Sequence, residues 1–247
     1  MNYNFNLFAI PNILCALFCL IIGSFVYFKN RKSQVNLLFF LMMLCGFVWQ
    51  LGQAFVLLSN NETTAFIWSK IIYIGVIYIA VIHYHLIVAF LGLKNQRKIA
   101  ILFYVISSFL FIPLTINNYI IYGVNKYSWG YWLKAAKFHP LFGLYFGFLI
   151  FLGIINLYFG YKKENISPID RIKCKYLFLG FIISYLGSID FLPDYGINIY
   201  PFGYVFITLY ISIIAYAIVR YRLMDIALTI TLTGIFVTLY TLVLGLP

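Results

Sequence analysis

Two histidines two residues apart, His83 and His85, and two carboxylates four apart, Asp190 and Asp194, are the residues whose types and spacing invite chemistry. A step of two residues turns a helix by about 200°, so His83 and His85 cannot hold one metal together from a regular helix. The reading for each is a bundle histidine satisfied by its neighbours, or one lining a polar cavity. Asp190 and Asp194 flank Pro193, where a capping or solvated role competes with acid–base work. The nearest string to a serine nucleophile elbow, Leu186-Gly187-Ser188-Ile189, lacks the flanking glycine. A retinal Schiff base needs a lysine in the seventh span, and Tyr200 to Val219 contains none. Cys15, Cys19 and Cys45 fall in apolar runs, where they read as packing, and Cys174 falls in a basic gap. No catalytic residue, metal ligand set or cofactor site is therefore expected.

Polar groups inside apolar runs are costly unless paired, which makes them the candidates for sensing. Gln50 and Gln53 lie one turn apart and should share a face with Trp49 or its neighbours. Lys70 lies near the outer end of the third run and Asp190 near the outer end of the sixth. If those ends meet, the two form a cross-bundle ion pair; simple snorkelling of Lys70 is the alternative. The turn between the sixth and seventh runs adds Asp194, Tyr195 and Tyr200 to the candidates for contact with a ligand or signal. Pro193, Gly196 and Pro201 make that turn a candidate hinge, with Pro201 expected at the first position of the seventh helix.

The elements that must position these groups are membrane helices. With 64% hydrophobic and 9% charged residues, a soluble fold could not cover its apolar surface, so the bilayer must be the solvent. The runs are Leu7 to Phe28, Asn36 to Leu58, Phe66 to Leu93, Ile99 to Ile121, Leu141 to Tyr161, Tyr176 to Leu192 and Tyr200 to Val219. A helix needs about 20 apolar residues to cross a bilayer, and each run reaches or nearly reaches that. The short sixth run is extended by Ser167-Pro168-Ile169-Asp170, a helix start with Ser as cap and Pro at the first position. Pro113 should kink the fourth span near its outer end.

Basic residues occupy every second gap. Lys29, Arg31, Lys32, Lys94, Arg97, Lys98, Lys162, Lys163, Arg171, Lys173, Lys175, Arg220 and Arg222 are thirteen of the seventeen. Cytoplasmic loops retain Lys and Arg, so the N-terminus should face outside and the seventh span should exit into the cytosol. The net charge of +11 is then a topology signal and an attraction to anionic headgroups, with no nucleic acid expected as a partner. Tyr122 to Pro140, with Trp129, Tyr131 and Trp132, should lie on the outer leaflet or cap the bundle. Gly143 and Gly147 form a GxxxG, and Gly180, Ser184 and Ser188 form a small-residue stripe. Contacts inside the bundle are expected of both, with a homodimer face as the alternative. Two units result: residues 1–225, a seven-helix module, and residues 226–247, an uncharged apolar stretch that reads as an eighth span or the head of a longer segment, apparently truncated.

From Asp190 to Ile226 the chain reads DFLPDYGINIYPFGYVFITLYISIIAYAIVRYRLMDI, and here it resembles the bacterial seven-helix N-terminal sensor region of membrane histidine kinases. PDYGINIYPFG is similar to the family's outer turn and YAIVRYRLMDI to its exit into the cytosol. Upstream, IWSKIIYIG and HYHLIVAFLGL are similar to its third helix, and HPLFGLYF to the start of its fifth. The resemblance implies an all-α polytopic bundle in a bacterial inner (cytoplasmic) membrane, non-catalytic by itself. It also implies an unknown ligand at the outer face and a cytosolic output domain in the parent protein. No phosphoacceptor region or ATP-binding domain is present in the sequence given. The rivals are a small transporter or channel, against which no inverted repeat is visible, and an integral-membrane enzyme, for which no cluster of carboxylates or histidines stands at one depth.

Overall fold

Backbone polar groups in hydrocarbon must be satisfied within their own segment, so long apolar runs become helices. The computed structural model describes residues 3–164, 166–221 and 223; the expectations for Arg222, Asp225 and residues 226–247 lie outside the described residues. The helices are α1 (Ile10–Lys29), α2 (Gln34–Leu58), α3 (Glu62–Phe90), α4 (Arg97–Ile106), α5 (Ile112–Ile116), α6 (His139–Lys162), α7 (Pro168–Tyr185) and α8 (Gly203–Tyr221). A π turn, Ser107–Phe111, joins α4 to α5, and 3-10 turns prolong α7 to Tyr195. Among the described residues six segments are long and apolar enough to cross a membrane, and Gly203–Ile218 is a shorter seventh. The fold is an all-α polytopic membrane bundle.

Local sequence sets the helix ends. Ser33, Asn61 and Ser167 each accept a backbone N–H three residues on, capping α2, α3 and α7. Ser167 also donates to the Asp170 carboxylate at 2.7 Å, so the expected start of α7 is a reciprocal cap. Pro113 follows the π turn; its missing N–H is accommodated by a locally widened helix.

α3 is the central helix, 72% buried against 28% for both the α4–α5 span and α6. It packs on α2 and α6, while α1 packs on α2 and α8, and α7 on α8. A Cβ on Gly180 would stand 3.1 Å from Tyr210 and from Ile214, so that stripe does let α7 approach α8. Gly143 and Gly147 have nothing within 4 Å, which corrects the expectation that this GxxxG packs inside the bundle. It lies on an open face of α6.

The segment after α5 is a β-hairpin, β1 (Ile121–Tyr127) paired antiparallel with β2 (Gly130–Ala135). Trp132 is 1% exposed and Trp129 and Tyr131 are buried, so these aromatics cap the bundle rather than lie along a leaflet. Antiparallel pairing satisfies the backbone, and three consecutive residues of β2, Tyr131, Trp132 and Leu133, are buried, so both faces of that strand are covered. The N-terminal residues hold the hairpin: Asn6 Nδ2 donates to the carbonyls of Leu57 (3.0 Å) and Trp129 (2.9 Å). The α7–α8 turn lies at this same hairpin end. At the opposite, basic end, a cavity of about 970 Å³ opens among Ser33, Gln96, Asn156, Lys162, Ser167 and Leu223.

Candidate functional site

The helix turn that ends at Tyr195 is closed by Gly196, whose φ of +88° is a left-handed conformation that glycine adopts without a Cβ penalty. Two hairpin side chains hold the turn. Tyr127 Oη donates to the Pro193 carbonyl at 2.7 Å, and Asn125 Nδ2 reaches the same oxygen at 3.3 Å. Burial pushes the Tyr127 hydroxyl pKa up, so it stays a donor. Trp129 Nε1 donates to Asn198 Oδ1 at 3.2 Å, and Tyr200 Oη donates to the Phe8 carbonyl at 2.9 Å. The candidate hinge is thus fastened to the hairpin and to the N-terminal turn.

Beneath it Asp190 is 3% exposed and joins three elements. Gln53 Nε2 of α2 donates to Oδ2 at 3.0 Å, and the Gly203 N–H, the first of α8, donates to Oδ1 at 2.7 Å. Trp132 Nε1 of β2 donates to the Asp190 carbonyl at 3.3 Å. Asp190 therefore caps α8 from outside its own sequence, at the end where the helix dipole favours negative charge. This sets the start of α8 at Gly203, two residues after Pro201, which corrects the expected first position. A Cβ at Gly203 would strike the Asp190 carboxylate, so the cap depends on glycine there.

Asp194, also 3% exposed, anchors a second group. Tyr73 Oη of α3 donates to its Oδ2 at 3.2 Å, and His139 Nε2 of α6 lies 3.3 Å from the same oxygen. His139 Nε2 also contacts Tyr73 Oη, and His139 Nδ1 lies 2.6 Å from Tyr195 Oη. One assignment serves every group: Tyr195 donates to Nδ1, Nε2–H donates to Tyr73, and Tyr73 donates to Asp194. Tyr195 is 53% exposed, so this chain runs from the surface to a buried carboxylate across α3, α6 and the α7–α8 turn. Such an arrangement couples an exposed hydroxyl to the packing of three elements.

The other candidates are scattered. Lys70 is half-buried and donates to the Ile116 carbonyl at 3.0 Å while covering the Phe66 ring. Lys70 engages this helix-end carbonyl and Asp190 engages Gln53 and Gly203, so the expected Lys70–Asp190 pair is replaced by snorkelling onto a helix end. Gln50 is fully buried and neither amide atom has a partner among the described residues. His83 is fully buried between the edges of Phe181 and Tyr185, while His85 contacts Gln34 and Tyr104. His139 and Tyr73 belong to the site although they are not among the sequence-based candidates. The signal available for His139 was its place beside Pro140 at a helix start, and for Tyr73 there was none.

Two cavities meet at this site. One of about 10 Å³ is bordered by Gln53, Tyr73, Trp132, Asp190 and Asp194. The other, about 50 Å³ and almost wholly apolar, lies deeper among Met42, Phe146, Phe181 and Tyr210. Trp49, Val76 and Phe191 border both.

The family model described as the N-terminal 7TM region of histidine kinase matches residues 11–227. No curated protein matches the chain.

Proposed function

The chain belongs to the family of N-terminal 7TM regions of histidine kinases, and from that membership we propose how it works as their membrane-embedded signal input. The seven-helix module, residues 1–225, carries no catalysis of its own and passes a two-state rearrangement to a cytosolic output domain in the parent protein. The alternation of basic gaps supports placing the hairpin end and N-terminus outside and the basic end in the cytosol of a bacterial inner membrane. Residues 226–247 are, by sequence, an uncharged apolar stretch that would be an eighth span or the head of a longer segment. The partners are the bilayer, a ligand at the outer face, the output domain and a second copy of the chain. The open Gly143–Gly147 face of α6 supports the last of these.

The observation that carries the reading is the Asp190 carboxylate, which ties α2, through Gln53, to the first N–H of α8 beneath the hairpin. An agent that moves the hairpin or the Pro193–Pro201 turn must alter that tie, and α8 leads to Arg220 at the basic end. Gln50, Gln53, Lys70, Asp190, Asp194, Tyr195 and Tyr200 are the residues through which such an agent would act. Its effect is bounded by its differential affinity for the two states.

The test uses the parent kinase, or the chain fused to a histidine-kinase catalytic region, in membranes. Gly196→Val and Pro201→Ala should shift basal autophosphorylation at unchanged membrane levels. Wild-type basal and stimulated output in both variants would remove the hinge from the signalling path.

A further inference from the structure

The cavity of about 10 Å³ under the hairpin is bordered by two carboxylates, an amide and a phenol: Asp190, Asp194, Gln53 and Tyr73. Gln53 is 2% exposed; its Nε2 is engaged by Asp190, but its Oε1 has no hydrogen-bond partner among the described residues. A buried acceptor of this kind, on the wall of a cavity shared with two carboxylates, calls for a donor or a cation. Neither carboxylate has a Lys or Arg within ion-pair distance among the described residues. His139 is the single basic side chain against Asp194, and Asp190 is met by neutral N–H donors alone.

From this geometry we propose that the Asp190–Gln53–Tyr73–Asp194 cavity is a binding site for one dehydrated monovalent cation of sodium size. The donor set is all oxygen, the chemistry of hard cations. A volume of about one water-sized probe admits a single ion and excludes a hydrated cluster. Mg²⁺ keeps several of its waters, and Ca²⁺ takes about 6–8 oxygen ligands, whereas three of the six oxygens on these four side chains already accept hydrogen bonds. Trp132 and Leu133 of β2 border the cavity, so the ion would enter past the hairpin. The bound ion would fasten α2, α3 and the α7–α8 turn together.

The experiment measures thermal unfolding of the full chain in lipid nanodiscs as NaCl replaces choline chloride at constant ionic strength and pH. The midpoint should rise saturably, by about 3–5 °C at a tenfold excess over the dissociation constant, with a smaller rise in KCl. Asp190→Asn is the matched variant: its amide oxygen still accepts from Gly203, and its nitrogen can donate to Gln53 Oε1. It should stay folded and lose the sodium response. A midpoint indifferent to sodium at every pH, or an equal response in wild type and Asp190→Asn, overturns the site. If Asp190→Asn does not fold, sodium-23 line broadening by the wild-type chain decides: broadening reversed by LiCl supports the site, and its absence overturns it. Failure here leaves the signal-input reading standing, because that reading is judged by phosphorylation.

Discussion

Gly203→Ala tests whether the cap on α8 is built as described. The added Cβ would stand 2.7 Å from the Gly187 carbonyl oxygen and closer still to the Asp190 carboxylate. The Gly187 oxygen is backbone and cannot swing away, so the 3-10 end of α7 must separate from the first turn of α8. The separation breaks the 2.7 Å bond from the Gly203 N–H to Asp190, leaving Gln53 as that carboxylate's remaining side-chain donor. A hydrogen bond to a charged group is worth about 1.5–3 kcal/mol, and overpacking costs about 1–3 kcal/mol more. The helix propensity of alanine returns at most about 1 kcal/mol. The expected net loss is therefore about 2–5 kcal/mol. Equilibrium unfolding in mixed micelles, followed by circular dichroism, measures it against Gly143→Ala, where nothing lies within 4 Å and the change should stay under about 0.5 kcal/mol. Indistinguishable stabilities for the two variants would refute the close contact and with it the cap.

Three further expectations follow from the same geometry. Trp132→Ala removes a side chain 1% exposed that donates to the Asp190 carbonyl, and it should cost about 3–5 kcal/mol in the same assay; a loss below about 1 kcal/mol would show the hairpin to be loosely attached. Lys70→Met and Asp190→Asn should be additive within about 0.5 kcal/mol, because Lys70 engages Ile116, and a coupling above about 1 kcal/mol would restore the ion pair. Single cysteines at Ser128 on the hairpin turn and at Glu164 at the basic end, both exposed, test orientation in a background without the native thiols. An impermeant thiol reagent on intact cells should label the first and reach the second only after permeabilisation, and the reverse would invert the topology.

The helices were legible because their physics is local. Apolar run length, the Ser167–Asp170 cap and Pro113 each act within a few residues, and each stands where the sequence places it. The hairpin was hidden, since Tyr127-Ser128-Trp129-Gly130 lacks the Asn-Gly or Asp-Gly that marks a tight turn, and its aromatics look like interface anchors. Asp190 and Asp194 stood out by type, but their partners did not. Gln53, Tyr73, His139 and Gly203 are separated from the carboxylates they engage by between 13 and 137 positions, and only the packing of α2, α3, α6 and α8 around the turn brings them in. The Lys70 error has the same root: equal depth along the bundle is readable from sequence, whereas which helices adjoin is not.

Two carboxylates at 3% exposure are expensive to keep, and replacing a buried charge group with well-packed apolar residues is commonly neutral or stabilising. A bundle built for stability alone would have no use for them. Their placement is specific: each sits at the junction of helices that are distant in sequence, and each is held by neutral donors that can be withdrawn by a small displacement. Losing one donor leaves a buried charge short of partners, so intermediate positions of α8 are disfavoured relative to a fully capped state and a state in which the carboxylate finds other ligands. On the proposed signal-input reading, two well-separated states with a costly middle are what α8 needs, because a stimulus can then shift a population instead of bending a continuum. The hairpin completes the device, since its bonds to the Pro193 carbonyl and the Asp190 carbonyl put the surface element that meets solvent within two hydrogen bonds of the helix that leaves the membrane.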